Sequence, residues 1–128
     1  MTKRIIHTTS APAAVGPYSQ AVAVPAGTMV FLSGQIGLVP ETGEMVSDKL
    51  EDQVKQAFAN MQAVIDASGG RLDQIVKLTL FLTDLSQFGL VNNIMADIIP
   101  QPFPARSTVG VSSLPKGAQF EVEAVLVI

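Results

Sequence analysis

The chain has 128 residues, of which 48% are hydrophobic and only 15% are charged, and its formal net charge is −3. This length suits a single domain spanning residues 1–128, and so apolar a composition favours a homo-oligomer that buries apolar faces between subunits. Cysteine is absent and the basic residues are scattered, which excludes disulfides and thiol chemistry and argues against a nucleic-acid-binding surface.

Signals for a membrane span, for secretion and for a metal site are also missing from the sequence. No apolar run approaches the length of a membrane span, and Lys3 and Arg4 are not followed by the apolar segment of a signal peptide. The one histidine, His7, cannot supply a metal cluster or a Ser-His-Asp triad by itself. We therefore expect a cytoplasmic protein that contacts neither membrane nor metal.

The N-terminal part of the chain is predicted to be mainly β-structure. Residues 1–8 indicate a short edge strand, and residues 11–18, which contain several prolines and a glycine, indicate a loop. Residues 21–24 and 28–33 are predicted to pair as a hairpin, with both faces of the second strand apolar and buried. The close glycines in residues 33–37 predict a β-bulge or a close approach of the backbone to another group.

The next segment predicts the longest helix. Apolar residues between Leu50 and Ile65 recur at spacings of three and four. Asp48 and Glu51 have the spacing of a capping box at its start, and Gly69-Gly70 marks its end.

A strand, a second helix and two more strands complete the pattern. Residues 75–83 alternate as a strand, with three leucines on one face, and Asp84 with Gln87 forms a second capping box that opens a short helix. Residues 105–111 and 120–128 are predicted as the last two strands. Together the elements predict an α+β fold, with two helices on one face of a mixed six-stranded sheet and the other, apolar face forming the subunit interface.

Arg106 is the most informative single residue. It stands near the start of a predicted buried strand, and Asp97 is the only carboxylate within ten residues of it. A guanidinium is always charged and offers a planar fork of donors, so burying it requires an anion. That anion is either a protein carboxylate, such as Glu121 or Glu123 in a structural ion pair, or the carboxylate of a ligand.

Three segments, taken together, resemble the reactive intermediate deaminase family, the RidA/YjgF-type imine deaminases. The resemblance covers nearly the whole chain in order and spacing. The segments are Gly16-Pro17-Tyr18-Ser19-Gln20, Ser33-Gly34-Gln35, and Pro104-Ala105-Arg106-Ser107 with Glu121 downstream.

The resemblance implies a chorismate-mutase-like subunit, a homotrimer with sites in the clefts between subunits, and no cofactor. The implied reaction is hydrolysis of short 2-imino acids such as 2-iminobutanoate and 2-iminopropanoate, or of their enamine tautomers, to 2-oxo acids and ammonia. Such a hydrolysis is already quick in water, and a further thousandfold needs only about 4 kcal/mol of transition-state stabilisation.

The resemblance also implies roles for individual residues. Arg106 would hold the substrate carboxylate and Glu121 would orient and deprotonate the attacking water. Alternation alone leaves Glu121 and Glu123 equivalent, because they share a strand face, and the motif favours Glu121. Thr108 stands where family members often carry cysteine. The residues expected to bind or enclose the substrate are Tyr18, Ser33, Gly34, Asn92 and Thr108.

Two other functions remain open from the sequence. The same cleft would serve a regulatory module that binds a small carboxylate without turning it over. RNA cleavage or inhibition of translation, sometimes attributed to this family, is less consistent with the acidic, scattered charge pattern.

Overall fold

A computed structural model describes residues 3–128 of the chain and confirms the α+β class. Residues 1 and 2, part of the first predicted strand, lie outside the described range. Over residues 3–128, neither helix combines the length and the hydropathy that crossing a bilayer requires. In chain order the elements are β1 (Arg4–Ile6), β2 (Ala21–Ala23), β3 (Met29–Gln35), α1 (Leu50–Ala67), β4 (Ile75–Leu82), α2 (Phe88–Ile98), β5 (Ala105–Gly110) and β6 (Phe120–Val127).

The six predicted strands all form, but they are divided between two sheets. A mixed sheet has the order β3-β6-β4-β5, in which β4 and β5 are parallel and the other pairs are antiparallel. The strands β1 and β2 pair separately as an antiparallel ribbon. Since β5 ends the larger sheet, one side of it is free to meet a loop.

The predicted hairpin between residues 21–24 and 28–33 is wrong. The strand β2 pairs with β1, whereas β3 pairs with β6 from Met29 opposite Val127 onward. Two backbone bonds between Thr28 and Ile128, of 2.8 and 2.9 Å, extend that pairing. The prediction relied on a local turn pattern between the two segments. The strand β3 instead forms a longer antiparallel ladder with the C-terminal strand β6.

Both helices pack on one face of the mixed sheet, as predicted. The leucines of β4, Leu78, Leu80 and Leu82, are buried against them by the alternation of the strand. Helix α1 contributes Phe58, whose ring centroid lies 5.7 Å from that of Phe120 on β6. This core holds the strands that carry the candidate site residues in register.

The opposite face of the sheet is open in the single chain and carries exposed apolar side chains on β3. Within the single chain only one face of β3 is buried, because Phe31 is 71% exposed and Met29 is 56% exposed, whereas Leu32 is buried. Only one side of β3 has helices packed on it. That this open face forms a subunit interface stays a prediction.

The predicted β-bulge is confirmed at the end of β3. Leu32 pairs with Ala124 and Gln35 with Val122, so two residues of β3, Ser33 and Gly34, span the register shift.

The predicted capping box of α1 is wrong. The helix begins after Lys49, so Asp48 lies outside the capping position, and Lys49 makes no side-chain cap bond. Ser47 serves this turn instead, because its Oγ accepts from the Lys49 N–H at 3.0 Å and donates to Asp52 at 2.9 Å.

The other helix signals are confirmed in part. Gly69 ends α1 with a φ of +83°, a conformation that favours glycine. Asp84 does cap, but it accepts from the Ser86 N–H of a short 3-10 turn before α2, and its predicted reciprocal bond with Gln87 is not formed.

Gln53 connects α1 to the segment before β6. Its side chain is only 2% exposed. Its Nε2 donates to the Ser47 carbonyl at 3.0 Å, and its Oε1 accepts from the Gln119 N–H at 2.9 Å. One buried amide therefore satisfies two backbone groups.

We expect Gln53→Leu to lower the free energy of unfolding by about 2 kcal/mol, because it leaves both backbone partners unpaired. Gln62→Leu, an exposed position on the same helix, should change it by less than about 0.5 kcal/mol. Urea unfolding at one fixed protein concentration measures both, and equal effects would contradict the bridging role of Gln53.

Candidate functional site

Arg106 lies on β5 opposite Leu78, so its side chain projects toward the helix side of the sheet. Its Nη1 donates to Asn92 Oδ1 at 2.6 Å and contacts Met95 Sδ at 3.7 Å. Asn92 and Met95 both belong to α2, one turn apart. Helix α2 therefore orients one edge of the guanidinium.

The loop before β2 supplies a second support for Arg106. The guanidinium carbon lies 4.9 Å from the centroid of the Tyr18 ring, a cation–π distance. The next residue, Ser19, forms a parallel bridge to Ala105, and its N–H donates to the Pro104 carbonyl at 3.0 Å. The free edge of β5 therefore fixes the loop that carries Tyr18.

Gly16 brings the backbone of this loop close to the same group. A Cβ built on Gly16 would lie 3.4 Å from Asn92 Nδ2 and 3.6 Å from Arg106 Nη2. The Gln20 side chain bonds this loop to the backbone that precedes it. Its Oε1 accepts from the Thr8 N–H, and its Nε2 donates to the carbonyls of Thr8 and Pro12, at distances of 2.6 to 3.1 Å.

No carboxylate of the described chain pairs with Arg106. The ion pairs within residues 3–128 are Lys55–Glu51 and Arg71–Asp73. Burial lowers the pKa of Arg106 from its usual value, and the nearby Tyr18 acts in the opposite direction. The structural ion pair with Glu121 or Glu123 is therefore not formed within this chain, and an anion that reached the guanidinium would compensate its desolvation.

A cavity of about 350 Å³ opens beside the guanidinium. Polar groups and apolar side chains share its wall, which is typical of a small-molecule site. The lining residues are Val15, Tyr18, Leu85, Phe88, Asn92, Arg106 and Thr108. We call Tyr18, Asn92, Arg106 and Thr108 the arginine cluster.

Glu121 lies elsewhere, on β6 next to the bulge of β3. A Cβ built on Gly34 would overlap the Glu121 carboxylate, so glycine at this position is what lets the carboxylate lie against the β3 backbone. Ser33 precedes Gly34 in the bulge and is exposed. We call Ser33, Gly34 and Glu121 the glutamate cluster.

The two clusters face opposite sides of the mixed sheet. Arg106 is opposite Leu78 of β4, and Glu121 is opposite Phe81 of the same strand. Because Leu78 and Phe81 are separated by an odd number of positions, their neighbours point to opposite faces. One chain therefore does not bring Arg106 and Glu121 to one small ligand.

Sequence reasoning missed part of the cavity wall. Phe88 lies in the first turn of α2, where it is 46% exposed and lines the cavity. A signal was available, since Phe88, Asn92 and Met95 recur at helical spacing on one face. A polar residue within that apolar stripe marks the side of α2 that faces Arg106. Nothing in the pattern pointed to Val15 or Leu85.

Comparisons with known proteins agree with this fold. The Endoribonuclease L-PSP family model matches residues 8–128. A protein of Dermatophagoides farinae named 2-iminobutanoate/2-iminopropanoate deaminase is 49% identical over 126 residues, which cover 98% of this chain and 97% of that protein. The crystal structure of RidA from the Antarctic bacterium Psychrobacter sp. has a TM-score of 0.77 and 44% identity, covering 98% of this chain and 99% of that chain. The crystal structure of E. coli TdcF with bound serine has a TM-score of 0.73 and 41% identity, covering 98% of each chain.

The aromatic partner of Arg106 also provides a probe of the site. Tyr18 is the only tyrosine and the sequence has no tryptophan, so the intrinsic emission of the protein reports on this cavity. We expect butanoate, a carboxylate without a chromophore, to change that emission in a saturable way by binding the guanidinium beside the ring. Arg106→Gln should abolish the saturable change, and Arg71→Gln, on the surface, should leave it intact. An unaltered titration of the Arg106 variant would contradict an anion site at Arg106.

Proposed function

The chain belongs to the Endoribonuclease L-PSP family, and we propose that it is a hydrolase that converts short 2-imino acids and their 2-enamine tautomers to 2-oxo acids and ammonia. Its proposed substrates are 2-iminobutanoate and 2-iminopropanoate, which the name of the Dermatophagoides farinae relative contains. The observation that carries the proposal is a half-buried guanidinium that pairs with no carboxylate of residues 3–128 and opens onto a cavity of about 350 Å³.

Arg106 binds the substrate carboxylate in this proposal. An arginine fork matches a carboxylate geometrically, and charge-assisted bonds of this kind are about twice as strong as neutral ones. Asn92 holds Nη1 and the Tyr18 ring lies against the guanidinium, so the fork is oriented before the substrate arrives. This preorganisation lowers the entropy lost on binding.

Glu121 activates the water. Its carboxylate takes a proton from a water molecule while the oxygen of that water bonds to C2 of the imine, and it passes this proton to the imine nitrogen, which gives a carbinolamine. The carboxylate then takes the proton of the carbinolamine hydroxyl and delivers it to the amino nitrogen as the C2–N bond breaks, so the C2 carbonyl forms and ammonia leaves. Water is consumed, ammonia leaves, and no electron acceptor is needed, so one general base and one anion site suffice.

The site is completed by a second copy of the chain. In one chain the arginine and glutamate clusters face opposite sides of the sheet, with β4 between their strands. The face that carries Glu121 also exposes Phe31 and Met29, an apolar surface that favours packing against another subunit. We propose a homotrimer in which the glutamate cluster of one subunit meets the arginine cluster of its neighbour.

The first prediction from this proposal concerns the reaction itself. A dehydratase acting on threonine supplies 2-iminobutanoate, and formation of 2-oxobutanoate above the uncatalysed rate is measured. Arg106→Ala should lower kcat/KM roughly a hundredfold, because two charge-assisted bonds are lost. Glu121→Gln should lower kcat about a hundredfold, because the base is lost while the shape is kept.

Glu123→Gln is the matched control for that experiment. Glu123 shares the strand face with Glu121 but is exposed, so its substitution should leave the rate unchanged. Equal losses in the two glutamate variants would contradict the assignment of the base. Saturable binding of 2-oxobutanoate by a wild-type protein that does not accelerate hydrolysis would favour the regulatory module instead.

The second prediction concerns the shared site. Arg106→Ala subunits retain Glu121, and Glu121→Gln subunits retain Arg106, so a trimer that contains both variants has one native site. Random mixing of equal amounts by refolding should restore about a quarter of wild-type activity. Mixing Arg106→Ala with the double variant should restore none. If the first mixture shows only the average of its two components, Arg106 and Glu121 act from the same subunit, and the shared site is wrong.

A further inference from the structure

Leu85 lies at the end of the cavity that is farther along β5 from Arg106. Arg106, Thr108 and Gly110 alternate onto the same side of that strand. A Cβ built on Gly110 would lie 3.5 Å from Leu85 Cβ and 3.7 Å from its Cδ2, so the Leu85 side chain lies over the last residue of the strand. The cavity therefore runs along β5 from the guanidinium to Leu85.

Helix α2 gives the cavity the same direction. Asn92 holds Nη1 of Arg106 and lies one turn after Phe88, so Phe88 is displaced from the guanidinium toward Leu85. Leu85 and Phe88 are 47% and 46% exposed in the single chain, and both line the cavity. One end of the cavity is therefore cationic, and the other end presents apolar surface that a ligand can cover.

The backbone that carries Leu85 is fixed by a capped turn. The Asp84 carboxylate accepts from the Ser86 N–H at 3.1 Å, and the Asp84 carbonyl accepts from the Gln87 N–H at 3.1 Å. Leu85 is the first residue of this 3-10 turn. Because the turn is held at both of these bonds, Leu85 forms a wall of defined position, as a residue that selects between ligands requires.

The cavity is larger than the smallest proposed substrates require. Its volume of about 350 Å³ lies within the range of about 300 to 1,000 Å³ that holds drug-sized ligands. The proposed substrates 2-iminopropanoate and 2-iminobutanoate carry only a methyl or an ethyl group on C2. With the carboxylate on Arg106, so short a group leaves space in front of Leu85, and a longer alkyl group would gain the dispersion contacts that this space lacks.

We propose that Leu85 is a specificity-determining residue, which contacts the end of the substrate alkyl group and limits its length. This inference rests on the proposed function, because it places the substrate carboxylate at Arg106. The favoured substrates are then 2-imino acids whose apolar side chain is longer than an ethyl group. A charged side chain is disfavoured, because Leu85 and Phe88 offer no partner for its charge.

Straight-chain 2-oxo acids test this role, because the members of the series differ only in their number of methylene groups. Calorimetry on the full chain in its native assembly gives the dissociation constants from 2-oxopropanoate to 2-oxooctanoate. The wild type should bind up to about fourfold more tightly with each added methylene until the alkyl group reaches Leu85, and more weakly beyond that length. Leu85→Ala should move the tightest-binding member to a longer acid, and Leu85→Phe should move it to a shorter one.

Val64→Ala is the matched control for these variants. Val64 is 41% exposed on α1 and lies outside the cavity beside Arg106, so its truncation should leave the length preference unchanged. Leu85 is half exposed on a surface turn, so its substitution should not prevent folding. The thermal midpoint and light scattering check that each variant keeps its fold and its assembly.

The outcomes separate this inference from the proposed function. The inference is overturned, and the deaminase proposal is left intact, if the wild type and both Leu85 variants share one length preference or if wild-type affinity does not depend on length. A change of assembly in Leu85→Ala without a change of length preference also overturns it, because a neighbouring subunit then covers Leu85. A wild type that shows the preference and its shift but does not hydrolyse 2-iminobutanoate overturns the deaminase proposal and supports the role of Leu85. A wild type that binds no member of the series overturns both the role of Leu85 and the carboxylate site at Arg106.

Discussion

The site depends on a guanidinium that the protein orients but does not neutralise. Asn92 holds one nitrogen of Arg106 and Tyr18 covers its face, yet no carboxylate of residues 3–128 pairs with it. Partial burial removes water from the Arg106 guanidinium and lowers its pKa, so its charged form is less stable than in water. An anion bound to the guanidinium would offset this cost of desolvation. The packing of α2 and the loop at Tyr18 against β5 can be understood as the means of holding this arrangement.

The sheet topology decides how the site is divided. Arg106 is on an edge strand, which leaves room for the loop at Ser19 on its free side and for α2 above it. Glu121 is on a central strand, pressed against a bulge whose Gly34 has no side chain to displace it. One strand separates Arg106 from Glu121 and the two side chains point to opposite faces of the sheet. A single chain therefore does not bring the proposed anion site and the proposed base to the same molecule.

The sequence predicted the elements better than their pairing. The order of strands and helices, the leucine face of β4 and the bulge at Gly34 follow from local alternation, and all three are found. The hairpin failed because β3 finds a longer partner almost a hundred residues away, in β6. The capping box at Asp48 failed because the N-cap of helix α1 is Lys49, one residue later than expected. The Ser47 hydroxyl, and not the Asp48 carboxylate, accepts a backbone N–H at this turn.

The sequence by itself determined the α+β class, the family resemblance and the importance of Arg106, because periodicity, turn residues and an isolated arginine are properties of neighbouring positions. Only the tertiary structure decided that no carboxylate of residues 3–128 pairs with the arginine and that Glu121 faces away from it. Both facts depend on which distant strands pair and on which segments pack beside Arg106, and neighbouring positions in the sequence do not determine that.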